Sequence, residues 1–123
     1  MTVQHTLEQL LSAARVVQRQ LIDGLPPGEE QGARVGVMRE VLEAAPIEEA
    51  REALANADPA SIEDQTLAAT RDLVVVLEPS RSMVRAGGEP QRVVDQLWSL
   101  GTAWDPGLPL QRAQQVLALA EAH

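Results

Sequence analysis

Cysteine, phenylalanine, tyrosine and lysine are all absent from this chain of 123 residues. The absence of cysteine excludes disulfide bonds and thiolate metal sites, and nothing points to an oxidising compartment. Because Trp98 and Trp104 are the only aromatic residues, aliphatic side chains must fill the interior. An interior of this kind favours helices that pack closely through small residues, and we expect Trp98 to belong to it.

Long apolar segments are also missing from the sequence. No apolar run is longer than that from Leu73 to Leu77, whereas a membrane-spanning helix needs about 20 consecutive apolar residues. The first residues lack the basic start and the continuous apolar stretch of a signal peptide. We therefore expect a cytoplasmic protein that makes no contact with membranes.

Basic side chains are scarce relative to acidic ones. The chain has 18 acidic residues against 10 basic ones, all of them arginine, and its formal net charge is −8 at pH 7. Proteins that bind duplex nucleic acid need cations to neutralise phosphates, so direct nucleic-acid binding is disfavoured. An acidic surface is instead suited to a basic protein partner.

Helical periodicity is the strongest pattern that the sequence contains. Hydrophobic residues make up 45% of the chain and charged residues 23%, the balance of a globular protein, and the length suits one domain over residues 1–123. In the N-terminal segment, apolar residues recur at alternating spacings of four and three: Val3, Leu7, Leu10, Ala14, Val17 and Leu21. This seam predicts a long N-terminal helix of the kind found in helical bundles.

Further helices are predicted between segments rich in proline and glycine. Their approximate ranges are 30–45, 47–57, 58–78, 89–100 and from 110 onwards. Together they predict an all-α, single-domain bundle of five or six helices, in which the first helix and the helix over 62–77 form the central pair. Leu73 to Leu77 could alternatively form a short strand, but no second strand of comparable quality is available to pair with it.

The segment 79–88 is predicted to be a loop, and it contains several cations and no acidic residue. Ser80, Arg81, Ser82 and Arg85 could bind an anion there, because hydroxyl and guanidinium groups are what phosphate oxygens seek. The segment matches no named phosphate-binding motif. The alternative interpretation is an interhelical loop without a ligand.

No constellation of catalytic or metal-binding residues stands out in the sequence. His5 and Glu8 have a spacing compatible with a metal pair, but a usable site needs further ligands, and a solvent-exposed histidine explains the same pattern. The glutamates of the second and third helices could include a buried general acid or could form a solvated acidic face: Glu40, Glu43, Glu48, Glu49 and Glu52. We predict a chain without catalytic activity, metal or cofactor.

These observations favour a non-catalytic helical protein–protein interaction module that acts as an adaptor, regulator or accessory subunit and forms a homodimer. The predicted partner-binding residues are Trp104, which lies in a turn, and four residues of the N-terminal seam: Leu7, Leu10, Val17 and Leu21. A first alternative is an acidic helical protein that engages a nucleic-acid-binding protein, either as a DNA mimic or as a small subunit of a nucleoprotein complex. A second is a bundle that binds an anion or small molecule at segment 79–88.

Overall fold

The computed structural model describes residues 3–23, 31–56 and 65–121. These residues form six α-helices and one short 3-10 turn, and no strand occurs among them. In chain order the elements are α1 (Val3–Asp23), α2 (Gln31–Ala44), α3 (Ile47–Ala55), α4 (Gln65–Ala86), α5 (Pro90–Trp98), the 3-10 turn (Gly101–Ala103) and α6 (Leu108–Glu121). The predicted all-α bundle with a long N-terminal helix is therefore confirmed.

The α1 helix follows the periodicity of its sequence. Its apolar seam faces the interior, where Leu7, Leu10 and Val17 are completely buried. The opposite side carries polar residues such as Ser12 and Arg19, which are exposed. An amphipathic helix of this kind is stabilised mainly by packing of its apolar side, not by the intrinsic helix propensity of its residues.

Helices α1 and α2 form an antiparallel pair. Near the end of α1, the guanidinium Nη1 of Arg34 donates a hydrogen bond to Oε1 of Gln20 at 3.3 Å. At the other end of the pair, Gln9 of α1 lines the same groove as Pro46, which follows α2. Pro46 also separates α2 from α3, because proline has no N–H to continue the helical hydrogen bonds.

The structure corrects one prediction, because most of segment 79–88 is helix and not loop. Helix α4 continues through Pro79 to Ala86. The proline removes only the hydrogen bond to the carbonyl of Val75, and Val75 is 66% exposed, so water can solvate that carbonyl. Beyond the proline, the buried Val84 extends the apolar side of α4 and holds this last part of the helix against the core.

The end of α4 falls at a glycine that no other residue would easily replace. Gly87 has a φ of +72°, a left-handed conformation that favours glycine, and its N–H donates to the carbonyl of Val84 at 3.1 Å. The start of this helix was predicted near residue 58, and residues 57–64 lie outside the described part of the chain.

The run from Leu73 to Leu77 is helical, so the alternative of a short strand is wrong. Within it only Val75 is exposed, while Leu73 and Leu77 are completely buried. The predicted central pair is also confirmed, because α1 and α4 make the most extensive contact between any two helices described. Helix α4 in addition contacts α2, α3, α5 and α6, so it packs against every other α-helix of the fold.

The segment between α5 and α6 brings Trp104 into the interior. Trp104 is completely buried, and its carbonyl accepts a hydrogen bond of 2.9 Å from Nε2 of Gln18 on α1. Gly107, which follows with a φ of +77°, lies so close that an added Cβ would be 2.5 Å from the same Nε2 atom. Trp98, predicted to be a core residue, is half-buried and packs against the core from its edge.

Candidate interaction surface

The five residues predicted to bind a partner all lie in the interior of the chain. Trp104 and the four seam residues of α1 have at most 1% of their surface exposed: Leu7, Leu10, Val17 and Leu21. Their side chains belong to one apolar cluster to which all six α-helices contribute. They thus hold this chain together, and any surface that is open to a partner is formed by other residues.

The predicted anion-binding residues lie on α4, where other groups contact most of their polar atoms; the exception is the buried Nε of Arg81, which has no hydrogen-bond partner among the described residues. The hydroxyl of Ser80 donates to the carbonyl of Val76 at 2.6 Å, and that of Ser82 donates to the carbonyl of Glu78 at 3.3 Å. Both serines therefore bond to the preceding turn of their own helix, a common arrangement for a serine inside a helix. Neither hydroxyl points to a site shared with the arginines.

Arg81 and Arg85 bind carboxylates of the neighbouring helices. Nη2 of Arg81 lies 2.6 Å from Oε1 of Glu48 on α3. Arg85 donates from Nε and Nη2 to the two carboxylate oxygens of Glu43 on α2, at 2.5 and 2.7 Å. The cations of the predicted anion site and two glutamates of the predicted acidic face are therefore each other's partners.

These contacts perturb the titration of both glutamates. The hydrogen bond from Arg85 is the main reason why the pKa of Glu43 is lowered, and the positive charge of Arg85 acts in the same direction. The hydrogen bond from Arg81 likewise lowers the pKa of Glu48, helped by a backbone hydrogen bond. The pKa of Arg85 is raised in turn by its hydrogen bond to Glu43. Both carboxylates are thus held in the ionised form that the arginines require.

Two further ion pairs join α4 to its neighbours. Nη1 of Arg51 lies 3.2 Å from Oε2 of Glu78, outside hydrogen-bonding geometry, and Nη1 of Arg112 lies 3.6 Å from Oδ2 of Asp72. Arginines and carboxylates are thus interleaved between the helices. A DNA mimic would instead present rows of unpaired carboxylates at the spacing of phosphates, so this arrangement gives that alternative no support.

The histidine near the N-terminus lies close to the carboxylate of Glu8, on the same helix. Nδ1 of His5 is 3.9 Å from Oε2 of Glu8, and both side chains are exposed. Within residues 3–23, 31–56 and 65–121, no group of three or more acidic, histidine or cysteine side chains is arranged to hold a metal ion.

The α2 helix carries apolar residues on both of its sides. Its inner side, formed by Val35, Met38 and Leu42, is at most 6% exposed. Its outer side also consists mainly of small and apolar residues, of which Val37 is 38% exposed and Ala44 is exposed. An added Cβ at Gly36, on the same outer side, would meet no atom within 4 Å. No other part of the described chain therefore covers this side of α2.

A groove of about 300 Å³ separates the outer sides of α1 and α2. Its lining residues are mostly small or apolar: Gln9, Ser12, Ala13, Val16, Val41, Ala44, Ala45 and Pro46. We call the groove together with the helix surfaces beside it the α1–α2 face. It comprises these lining residues together with four further exposed residues of α2: Ala33, Gly36, Val37 and Glu40.

Charged residues lie beside the apolar part of the α1–α2 face. Glu40 on α2 is exposed and forms no ion pair with any residue that the structure describes. Arg19 on α1 is also exposed, but it lines a separate depression together with Arg15, Gln18, Ile22 and Asp23. The α1–α2 face is thus a mainly apolar surface with the exposed carboxylate of Glu40 beside it.

Sequence reasoning overlooked this face although a signal for it was present. Ala33, Val37, Val41 and Ala44 recur at spacings of four, four and three, a second apolar stripe on a helix whose inner stripe is also apolar. The polar residues interspersed with it, such as Glu40 and Glu43, suggested an ordinary solvent-exposed side. Only the position of α2 at the outside of the bundle shows that the stripe is uncovered.

Comparisons with protein-family models, with curated proteins and with solved structures each found no match to this chain. Within the described ranges, none of the helices combines the length and apolar character required to cross a membrane.

Proposed function

We propose that this protein is a non-catalytic helical interaction module that binds a partner protein through its α1–α2 face. The observation that carries the proposal is the two-sided apolar character of α2, of which the chain buries only one side. Helices that are apolar all round normally lie in the interior of a protein or assembly. A second protein bound to α2 would cover the apolar side that this chain leaves exposed, and this would explain why that side is apolar.

The physical gain from covering this side is substantial. Removing apolar surface from water contributes about 25 cal/mol per Å², and here the half-exposed valines Val16, Val37 and Val41 would all be covered. Gly36 and the neighbouring alanines allow the backbone of a partner helix to approach closely, which increases the area of contact. In a monomer, Gly36 would only weaken α2, by about 1 kcal/mol relative to alanine.

The exposed Val75 of α4 lacks this continuity. Val75 is more exposed than Val37, at 66%, but three of the four residues one turn away from it on α4 are charged: Arg71, Asp72 and Glu78. Single exposed apolar residues are normal on the surfaces of monomeric proteins and indicate no contact. Val75 therefore provides a matched control for Val37.

Photo-cross-linking inside the native cell tests the proposal. A photoreactive amino acid placed at position 37 should yield covalent adducts with protein, whereas the same residue placed at position 75 should yield few or none. The additional substitution Gly36→Phe, which blocks close approach without disturbing the core, should abolish the adducts at position 37. Equal labelling at both positions, or no adduct at position 37, would contradict a docking role for α2.

A further inference from the structure

The C-terminal half of α1 carries a depression of about 260 Å³, lined by Arg15, Gln18, Arg19, Ile22 and Asp23. We propose that this depression binds a small monocarboxylic acid with an aliphatic portion. It shares no lining residue with the groove between α1 and α2, so the inference does not depend on the proposed function.

Two arginines one turn apart supply the positive charge of the depression. Arg15 and Arg19 lie on the same side of α1, and neither forms an ion pair with any residue that the structure describes. The four arginines of the ion pairs around α4, by contrast, each lie close to a carboxylate. Like charges at a spacing of four repel each other on a helix, and an anion bound between them removes that repulsion.

Neutral groups hold the guanidinium of Arg15 in position. Its Nη2 donates to Oε1 of Gln114 on α6, and its Nη1 donates to Oε1 of Gln18 at 3.5 Å. Gln18 is fixed in turn, because its Nε2 donates to the carbonyl of Trp104 at 2.9 Å. These amides orient the guanidinium without neutralising it, and three of its five N–H donors remain for a ligand. A cation that is ordered before binding lowers the entropic cost of binding.

The charges around the depression select a monoanion. Asp23, at the end of α1, is exposed and forms no ion pair with the described residues. Two guanidinium groups and one carboxylate therefore leave the lining with a single net positive charge. A phosphate dianion would be repelled more strongly by Asp23 than a carboxylate would. A carboxylate also presents two oxygens that match the paired N–H groups of a guanidinium.

The remaining lining residue, Ile22, accounts for the aliphatic portion of the ligand. Ile22 is 47% exposed and lies in the same depression as the two arginines. An aliphatic chain attached to the carboxylate would remove part of this apolar surface from water. The volume of the depression is just below the range of about 300–1,000 Å³ that is typical of sites for larger ligands. Hexanoate has the charge, the apolar chain and the small size that these features require.

Titration of the isotope-labelled chain with hexanoate, followed by NMR, tests the inference. The side-chain amide signals of Gln18 and Gln114 should shift and saturate at about millimolar concentrations, the range open to a ligand of so few atoms. Hexanol, hexylamine and inorganic phosphate should not produce saturating shifts. Acetate should bind more weakly than hexanoate, because it has no chain to cover Ile22.

Variants of the lining residues assign the binding to this depression. Arg15→Gln and Arg19→Gln should each weaken hexanoate binding by about tenfold, because each removes a charge-assisted hydrogen bond. Asp23→Asn should strengthen it, because a repulsive charge is lost. Ile22→Ser should weaken the binding of hexanoate and leave that of acetate unchanged.

Matched substitutions at other arginines provide the controls. Arg71→Gln on α4 and Arg92→Gln on α5 remove one exposed cation each and should leave the affinity unchanged. Circular dichroism establishes that every variant is folded. Hexanoate shifts that do not saturate, or that hexanol reproduces, would overturn the site. An equal loss of affinity in the control variants would overturn its location, and tighter binding of phosphate than of hexanoate would overturn the class of ligand.

Discussion

Arg85 binds both carboxylate oxygens of a single residue, Glu43, with hydrogen bonds of 2.5 and 2.7 Å. One turn earlier on α4, Nη2 of the buried Arg81 lies 2.6 Å from Oε1 of Glu48 on α3, while Nε of Arg81 has no hydrogen-bond partner among the described residues. Two-pronged contacts between arginine and carboxylate are the strongest of the charge-assisted hydrogen bonds. The end of α4 is thereby tied to both helices that flank Pro46.

The stability of the protein should depend on pH through these two glutamates. Their pKa values are lower in the folded chain than in the unfolded chain, so the unfolded state binds more protons as the pH falls. Their contribution to the free energy of unfolding is therefore fully present above the ordinary glutamate pKa. It begins to decrease below about pH 5 and is lost as the pH falls through the pKa values of the folded chain. Denaturant unfolding between neutral and acidic pH should show this loss.

The variant Glu43→Gln/Glu48→Gln should reduce that pH dependence, because neither side chain can then titrate. Glu52→Gln, an exposed residue of α3 without an ion pair, is the control and should leave the pH dependence as it is in the wild type. An unchanged acid-induced loss of stability in the double variant would show that other carboxylates are responsible.

Breaking the pair of Arg81 and Glu48 should have unequal effects on its two sides. The side chain of Arg81 is 10% exposed, whereas that of Glu48 is 65% exposed. Glu48→Gln leaves a buried cation without its counter-charge, which is costly, whereas Arg81→Met leaves a carboxylate that water can solvate. The free energy of unfolding should therefore fall more for Glu48→Gln than for Arg81→Met. The reverse order in urea denaturation would contradict this account of the pair.

Substitution by alanine should change the stability of the chain in opposite directions at Gly36 and Gly107. Gly36→Ala should stabilise the monomer by about 0.5–1 kcal/mol, because α2 gains a better helix former and the new Cβ meets no neighbouring atom. Gly107→Ala should destabilise it by at least about 1 kcal/mol, because φ is +77° and the new Cβ would lie 2.5 Å from Nε2 of Gln18. Thermal unfolding at low protein concentration, where self-association does not contribute, measures both changes.

Trp104 should contribute to the stability of the isolated chain. Because it is completely buried, Trp104→Ala should lower the free energy of unfolding by about 3–5 kcal/mol without any partner present. Trp104→Phe should cost much less, since it retains most of the ring volume and removes an indole N–H that has no hydrogen-bond partner among the described residues. A fully stable Trp104→Ala variant would argue against the buried position.

Local periodicity predicted most of the fold. The seam of α1 and the run from Leu73 to Leu77 follow from the spacing of aliphatic residues, because an amphipathic helix must turn its apolar side inward. Pro79 led to the wrong prediction of a loop over 79–88. The sequence alone does not show that the carbonyl left unpaired by Pro79 belongs to an exposed residue, Val75. The buried Val84, six residues beyond the predicted end of the helix at residue 78, was the signal that α4 continues.

The surface of the protein was much less predictable. Arg85 and Glu43 are 42 residues apart, so no local pattern connects them, and each was interpreted separately as part of a different site. The same limit applies to α1, whose seam is equally suited to packing within a chain and between chains. Periodicity identifies which side of a helix must be covered, but only the tertiary structure shows what covers it.

Helix α4 packs against every other α-helix, and this arrangement has a consequence for motion within the fold. No other helix can retain its native packing if α4 unravels, so the opening of α4 must coincide with global unfolding. Its central amides, including those of Leu73 and Leu77, should therefore exchange with deuterium only at the rate set by the full free energy of unfolding. The outer helix α2 can loosen at much lower energy, and its amides should exchange sooner in the monomer and more slowly once its uncovered side is occupied.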